Sequence, residues 1–204
     1  MNDSKATVSK QMLAEWLPTS EGWLSLERAY EMYDLVRQIQ PAYVVEIGVF
    51  GGRSLIAQAL ALKDIGKGKI IGIDPWKKET AVTAQPDDDQ AAWWRDNVDY
   101  YRIHQGCMEA VWKFSLDRFV NIIRASSQEC ADLIPRCDII YIDGGHSEES
   151  SCRDVEIYLP KVKQNGSIWF DDADWKTTQK ALAMLDAKCK MVRDCVSYRL
   201  YCKA

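Results

Sequence analysis

Between Tyr43 and Ser54 the chain reads Y-V-V-E-I-G-V-F-G-G-R-S, an apolar run carrying one acid, Glu46, and then Gly48, Gly51 and Gly52. A buried strand that feeds a glycine turn into a helix is how open α/β sheets make a nucleotide site. Glycine lets the backbone pass close under a ligand, where a Cβ would collide. The spacing excludes two phosphate-binding loops. G-x-G-x-x-G counted from Gly48 would need glycines where Phe50 and Arg53 stand, and G-x-x-x-x-G-K-[ST] does not occur. The pattern that does occur is E-x-G-x-x-x-G, with Glu46 on the strand and Gly48 and Gly52 in the turn.

More chemistry-bearing residues stand at the ends of other apolar runs. Asp74 closes the run Lys69–Ile73, where an acid accepts hydrogen bonds from ribose hydroxyls; a turn aspartate before Pro75 is the plain alternative. Ala125-Ser126-Ser127-Gln128 follows Val120–Arg124. Its hydroxyls and amide could meet an adenine, and helix capping by Ser126 or Ser127 explains them equally well. Asp143 ends Cys137–Ile142, and Asp171 and Asp172 end Ser167–Phe170. If those two strands are neighbours, the three carboxylates crowd one edge, which is costly unless a cation or hydrogen-bond donors neutralise them. Oxygen-only ligands suit Mg²⁺, Ca²⁺ or Mn²⁺. The structural alternative is that Asp171 or Asp172 caps a helix beginning near Asp174. His146 lies on the loop after Asp143, and a free imidazole titrates near neutral pH, as a general base should. His104, inside a helical stretch, reads as structural.

The elements that must position these residues follow from periodicity. Residues 1–20 are polar and frayed at first, and Met12, Leu13, Trp16 and Leu17 then suggest a short helix ended by Pro18. An amphipathic helix spans 22–40, strand one 43–47, a helix 52–63 and strand two 69–73. Residues 75–118 exceed a plain crossover; Pro86-Asp87-Asp88-Asp89 marks a helix start, and Trp76, Trp93 and Trp94 are core by default or walls of an acceptor pocket. Strand three (120–124), strand four (137–142), a helix over 149–163 stopped by Gln164-Asn165-Gly166, strand five (167–170), a helix over 175–187 and strands 189–194 and 196–202 complete the chain. This alternation predicts one α/β domain over 1–204, with a Rossmann-like, seven-stranded, mostly parallel sheet. Helices cover both faces and the C-terminal strand is antiparallel. The 1–40 segment is helical, and 75–118 is an insertion near the acceptor.

With 204 residues the chain can bury a core without staples, and its net charge of −4 argues against nucleic acid as a partner. No apolar run nears membrane-span length and no signal-peptide layout opens the chain, so the expected compartment is the cytoplasm and no membrane partner is expected. The seven cysteines are odd in number, lack C-x-x-C and read as buried reduced thiols, not zinc ligands.

The E-x-G-x-x-x-G turn resembles motif I of class I S-adenosylmethionine-dependent methyltransferases, whose loop packs on a nucleoside and an amino acid. I-D-G-G-H-S, a helix with Asp154 and Leu159-Pro160, and then N-G-S-I-W-F-D-D resemble the small sugar and macrolide O-methyltransferases. The order of acids is also similar to metal-dependent catechol-type O-methyltransferases. The resemblance implies that Glu46, Gly48, Phe50, Gly52, Ser54, Asp74, Ser127, Gln128 and Asp143 hold S-adenosylmethionine. It implies that Asp143, Asp171 and Asp172 hold a divalent cation such as Mg²⁺, and that His146 and Asp143 are catalytic, with His146 where the catechol-type enzymes keep a lysine base. The implied reaction is metal-assisted O-methylation of a small-molecule hydroxyl (sugar or secondary metabolite), with a homodimer as the candidate assembly. A metabolite hydroxylase and a non-catalytic scaffold of the same fold are the rival readings.

Overall fold

In the computed structural model, which describes residues 3–204, seven strands form one sheet in the order β3-β2-β1-β4-β5-β7-β6. These are β1 (Tyr43–Ile47), β2 (Lys69–Ile73), β3 (Val120–Ile123), β4 (Cys137–Ile142), β5 (Val162–Asp171), β6 (Cys189–Asp194) and β7 (Tyr198–Lys203). The first five pair in parallel; β7 runs antiparallel to β5, and β6 antiparallel to β7. The helices are α1 (Asp3–Trp16), α2 (Leu26–Ile39), α3 (Arg53–Ile65), α4 (Lys78–Thr83), α5 (Asp88–Asn97), α6 (Tyr100–Lys113), α7 (Glu148–Tyr158) and α8 (Gln179–Asp186). Among the described residues no helix is long and apolar enough to cross a membrane.

Strand alternation divides the core into two layers. Val44, Ile70, Ile139, Tyr141 and Trp169 face one way, onto α1, α2, α3 and α6; Val45, Ile71, Ile140, Ile168 and Phe170 face the other, onto α7 and α8. Covered on both sides, β1 is buried from Val44 to Ile47 and apolar but for Glu46, as a central parallel strand should be. β1 lies between β2 and β4, so the strand order reverses beside it, and the crevice at its carboxyl end is where such sheets bind ligands. Seven free cysteines are seen, four of them buried.

Several boundaries differ from the sequence expectation. Helix α1 begins at Asp3, well before Met12, while the fraying expected at residues 1 and 2 lies outside the described residues. Helix α7 stops at Tyr158, because Pro160 cannot supply the next backbone donor; a short 3₁₀ turn follows and β5 starts at Val162. Gln164-Asn165-Gly166 therefore lies inside a ten-residue strand, with Asn165 at φ +60° where β5 bends, and does not end a helix. The C-terminal helix starts at Gln179 after a 3₁₀ turn, and Val196 and Ser197 form the hairpin turn before β7.

The insertion makes three helices. α6 buries Ile103, Cys107, Ala110 and Val111, so it is the crossover to β3. Asp87 caps α5 by accepting from the Gln90 N–H, as the acidic run suggested. Neither α4 nor α5 buries a residue; both lie over the carboxyl edge of the sheet.

Candidate active site

A cavity of about 720 Å³ opens at that carboxyl edge. Its floor is the turn after β1. Gly48 (φ +84°) could not carry a side chain, since a Cβ would sit 1.8 Å from the Asp143 carbonyl oxygen. Gly52 (φ +83°) opens α3 with Cys107 Sγ 2.7 Å from where its Cβ would be. Phe50 between them is also left-handed, at φ +48°. Asp74 at the end of β2 holds this turn in place. Its Oδ2 accepts from the Val49 and Phe50 N–H groups at 3.0 and 2.8 Å, and its Oδ1 from the Trp76 N–H at 2.7 Å. Burial raises its pKa, and those three N–H groups oppose the rise. Three of a carboxylate's roughly four acceptor positions are thus occupied, leaving one for a ligand hydroxyl.

Glu46 is placed differently from the other motif residues. It is fully buried under the turn, outside the cavity lining, where it accepts from Ser54 Oγ (2.7 Å) and Gln58 Nε2 (2.8 Å) on α3. Burial pushes its carboxyl up to about 8, against the lowering effect of the Ser54 hydroxyl. It ties β1 to the first turns of α3, while Ser54 itself lines the cavity. Ser127 and Gln128 also line it. Ser127 Oγ donates to Asp154 Oδ1 (2.5 Å), and Gln128 Oε1 accepts from Arg153. Asp154 is a lining residue missed from sequence; burial pushes its pKa to about 6. No regular α-helix starts at Ser126, which instead closes a turn with Glu129.

The adjacent β4 and β5 bring Asp143, Asp171 and Asp172 to one end of the cavity, but the three do not share a centre. Asp171 Oδ1 accepts from the Arg28 guanidinium of α2 and from the Asp172 N–H (3.0 Å), and its Oδ2 accepts from the Tyr141 hydroxyl. The same hydroxyl lies 2.9 Å from Asp143 Oδ2. A phenol has one proton to give, so Tyr141 cannot donate to both carboxyls at once. Burial holds the Asp143 pKa well above the carboxylate range, and the charges of Asp171 and Asp172 add to the rise.

Asp172 (φ +50°) instead meets His146, with Nε2 2.6 Å from its Oδ2. The ligand-type atoms of Asp143, His146 and Asp172 lie within 4.8 Å of one another. Trp175 stacks on the His146 ring at 4.6 Å and 27°, and Nδ1 has only a long 3.4 Å contact with Gln85 Oε1. His104 stands apart, packed edge-on against Trp76.

Aromatic rings close the mouth. Trp23, ahead of α2, stacks on Phe50 at 5.2 Å, and Trp93 and Trp94 of α5 approach it at 5.9 Å. Trp76 lines the cavity as well, its Nε1 donating to the Phe50 carbonyl. The sequence hinted at Tyr141, which shares a strand face with the end acid two residues on. Nothing in α2 marked Arg28, whose role depends on how α2 lies across β5.

A family model described as a methyltransferase domain matches residues 45–173. An uncharacterised protein, R132 of Acanthamoeba polyphaga mimivirus, is 29% identical over 129 residues, which are 63% of this chain; the chain spans about half the length of that relative, 50% of which is covered. The S-adenosylhomocysteine-bound methyltransferase PaMTH1 of Podospora anserina superposes with a TM-score of 0.69 at 15% identity, covering 96% of this chain and 88% of that one. The O-methyltransferase TomG of Streptomyces achromogenes, solved with S-adenosylmethionine, gives 0.64 at 14% identity, covering 100% of this chain and 91% of that one. At these identities the structural likeness is one of fold.

Proposed function

We propose, from the premise that this chain belongs to the methyltransferase domain family, that it is an S-adenosylmethionine-dependent O-methyltransferase acting on a small-molecule hydroxyl. One observation carries the reading: a single cavity joins the glycine turn, Asp74 and Ser127 to the His146–Asp172 pair. Its volume falls within the roughly 300–1,000 Å³ of ligand pockets. The donor set fits a nucleoside carrying an amino acid. Gly48 and Gly52 let the turn pack tightly on the loop after β4 and on α6, Asp74 has an acceptor position left for ribose, and Ser54, Ser127 and Gln128 offer polar groups on either side. When bound, S-adenosylmethionine supplies a methyl group made electrophilic by its sulfonium.

The chain's own part is to align and to move a proton. Asp172 accepts the Nε2 proton of His146 and so leaves Nδ1 as the basic nitrogen once an acceptor hydroxyl replaces its long contact with Gln85 Oε1, the same logic by which a carboxylate orients a catalytic imidazole. Trp175 fixes the ring plane. His146 Nδ1 takes the acceptor's hydroxyl proton, and Asp143, fixed by the Tyr141 hydroxyl, lines the same end of the cavity. Holding two reactants in line is the larger part of catalysis in such a transfer. A divalent cation on Asp143, Asp171 and Asp172 is not part of this reading, because the Asp171 carboxylate already has the Arg28 guanidinium as its positive partner and accepts from Tyr141 and the Asp172 N–H as well.

The test is calorimetric titration of S-adenosylmethionine into the wild type and into Asp74→Ala and His146→Ala. Saturable binding to the wild type, weakened in Asp74→Ala and kept in His146→Ala, is expected. Absence of binding to the wild type would overturn the reading in favour of a scaffold.

A further inference from the structure

Three acids at one sheet edge ask for a counter-charge, and each acid of this edge already has its partner within the chain. Asp171 has the Arg28 guanidinium, Asp172 has the His146 Nε2, and Asp143 has the Tyr141 hydroxyl. Arg28 is held firmly. It reaches from α2 over the Tyr198 ring at 5.0 Å, and Tyr198 in turn stacks on Trp169 at 4.4 Å. The Tyr198 hydroxyl donates to Glu31, one turn along α2, at 2.5 Å, so β7 and α2 together aim the guanidinium. Its Nε is buried without a hydrogen-bond partner, in the wall of the cavity. A planar fork on a packed aromatic face is a fixed charge that neither exchanges nor deprotonates.

We infer that Arg28 is the resident counter-ion of this edge, standing where a divalent cation would otherwise be needed, so that the site holds its donor and works without a metal. The inference rests on the methyltransferase reading above. A cation bound by all three acids would compete with Arg28, Tyr141 and the Asp172 N–H for Asp171 and would set a second positive charge beside a partly buried guanidinium. In the other donor set at this edge, Asp143, His146 and Asp172, His146 and Asp172 are engaged with each other in a 2.6 Å hydrogen bond that a cation would have to break. Arg28 is accordingly a positioning residue: it acts on the reactants through Asp171 and Tyr141.

Metal dependence can be read without knowing the acceptor. Mg²⁺ and Mn²⁺ are each titrated alone into the wild type by calorimetry, thermal midpoints are taken with either ion and with EDTA, and S-adenosylmethionine binding is measured in both conditions. Expected are no saturable metal heat, no shift in midpoint and unchanged donor affinity. In Arg28→Gln, which leaves the three acids without their fixed cation, the midpoint should fall in EDTA and recover by several degrees in Mn²⁺. Arg28→Lys, which keeps the charge, should respond far less. A purely structural role for Arg28 would lower the midpoint without creating a metal response. Stoichiometric Mn²⁺ binding to the wild type that Asp172→Asn abolishes would overturn the inference, as would donor binding that needs a cation or an Arg28→Gln midpoint indifferent to metal. If Arg28→Gln fails to fold, the wild-type titrations still decide. Failure to bind donor under any condition would instead remove the methyltransferase reading.

Discussion

Glu46 belongs to the motif that first pointed to a nucleotide site, yet it works from beneath the cavity. With a folded pKa near 8 and an ordinary value of about 4.3, it binds its proton more tightly folded than unfolded. Between those pH values the folded state holds more protons, so this group's contribution falls as pH rises; below both it is fully present, and above both its slope vanishes. The Glu46→Gln variant should therefore gain stability on the wild type as pH goes from about 5 to about 8, by up to about 1.4 kcal/mol per unit. Urea midpoints at each pH check this, and parallel curves for the two proteins would refute it. Asp74, Asp143 and Asp172 were legible in the sequence because each ends an apolar run, and a strand end in a parallel sheet fixes which edge a residue occupies. What each acid touches was not legible. The Arg28–Asp171 pair joins residues far apart in sequence, and it decides that Asp171 faces a guanidinium while His146 takes Asp172.

The turn from β1 to α3 puts the backbone itself under test. At Gly48 an added Cβ would meet the Asp143 backbone oxygen at 1.8 Å, and a backbone oxygen cannot swing aside as a side chain can. Gly66, at the end of α3, has a similar φ of +80° but nothing within 4 Å. Gly66→Ala should cost about 1–2 kcal/mol, the penalty of left-handed backbone alone. Gly48→Ala should cost clearly more and should also abolish donor binding, because it pries β1 from the loop after β4. Equal shifts in urea midpoint would show that the close approach carries no energy. The core strands β1, β2 and β4 stood where their apolar runs predicted, since buried parallel strands announce themselves by composition. The segment 162–166 did not: the ladder with β4 jumps from Val162↔Cys137 to Ser167↔Ile139, and Gln164-Asn165-Gly166, which reads locally as a stop, lies in the irregularity between them. The turn signal is met inside the strand as that irregularity and not as an end to it.

Across the whole molecule, three separate segments meet over the cavity mouth: the chain before α2 with Trp23, the glycine turn with Phe50, and α5 with Trp93 and Trp94. Arg53, the first residue of α3, holds the earliest of these down, its Nε and NH1 donating to Ser20 Oγ and the Leu24 carbonyl at 3.1 Å each. Trp23 is nonetheless 67% exposed, so its ring contributes little to the core it sits beside. A mostly exposed ring stacked on Phe50 and set against Trp93 and Trp94 acts on access more than on stability. Trp23→Ala should lower the folding free energy by under about 1 kcal/mol. It should also release bound S-adenosylmethionine faster, with association little changed, as when a retaining contact is lost. Stopped-flow dissociation alongside urea unfolding separates the two effects. A large loss of stability with an unchanged off-rate would make Trp23 a core residue that happens to be exposed. A faster off-rate at nearly constant stability makes the aromatic clasp a gate, and places the insertion at 75–118 among the parts that keep the donor in place until the acceptor arrives.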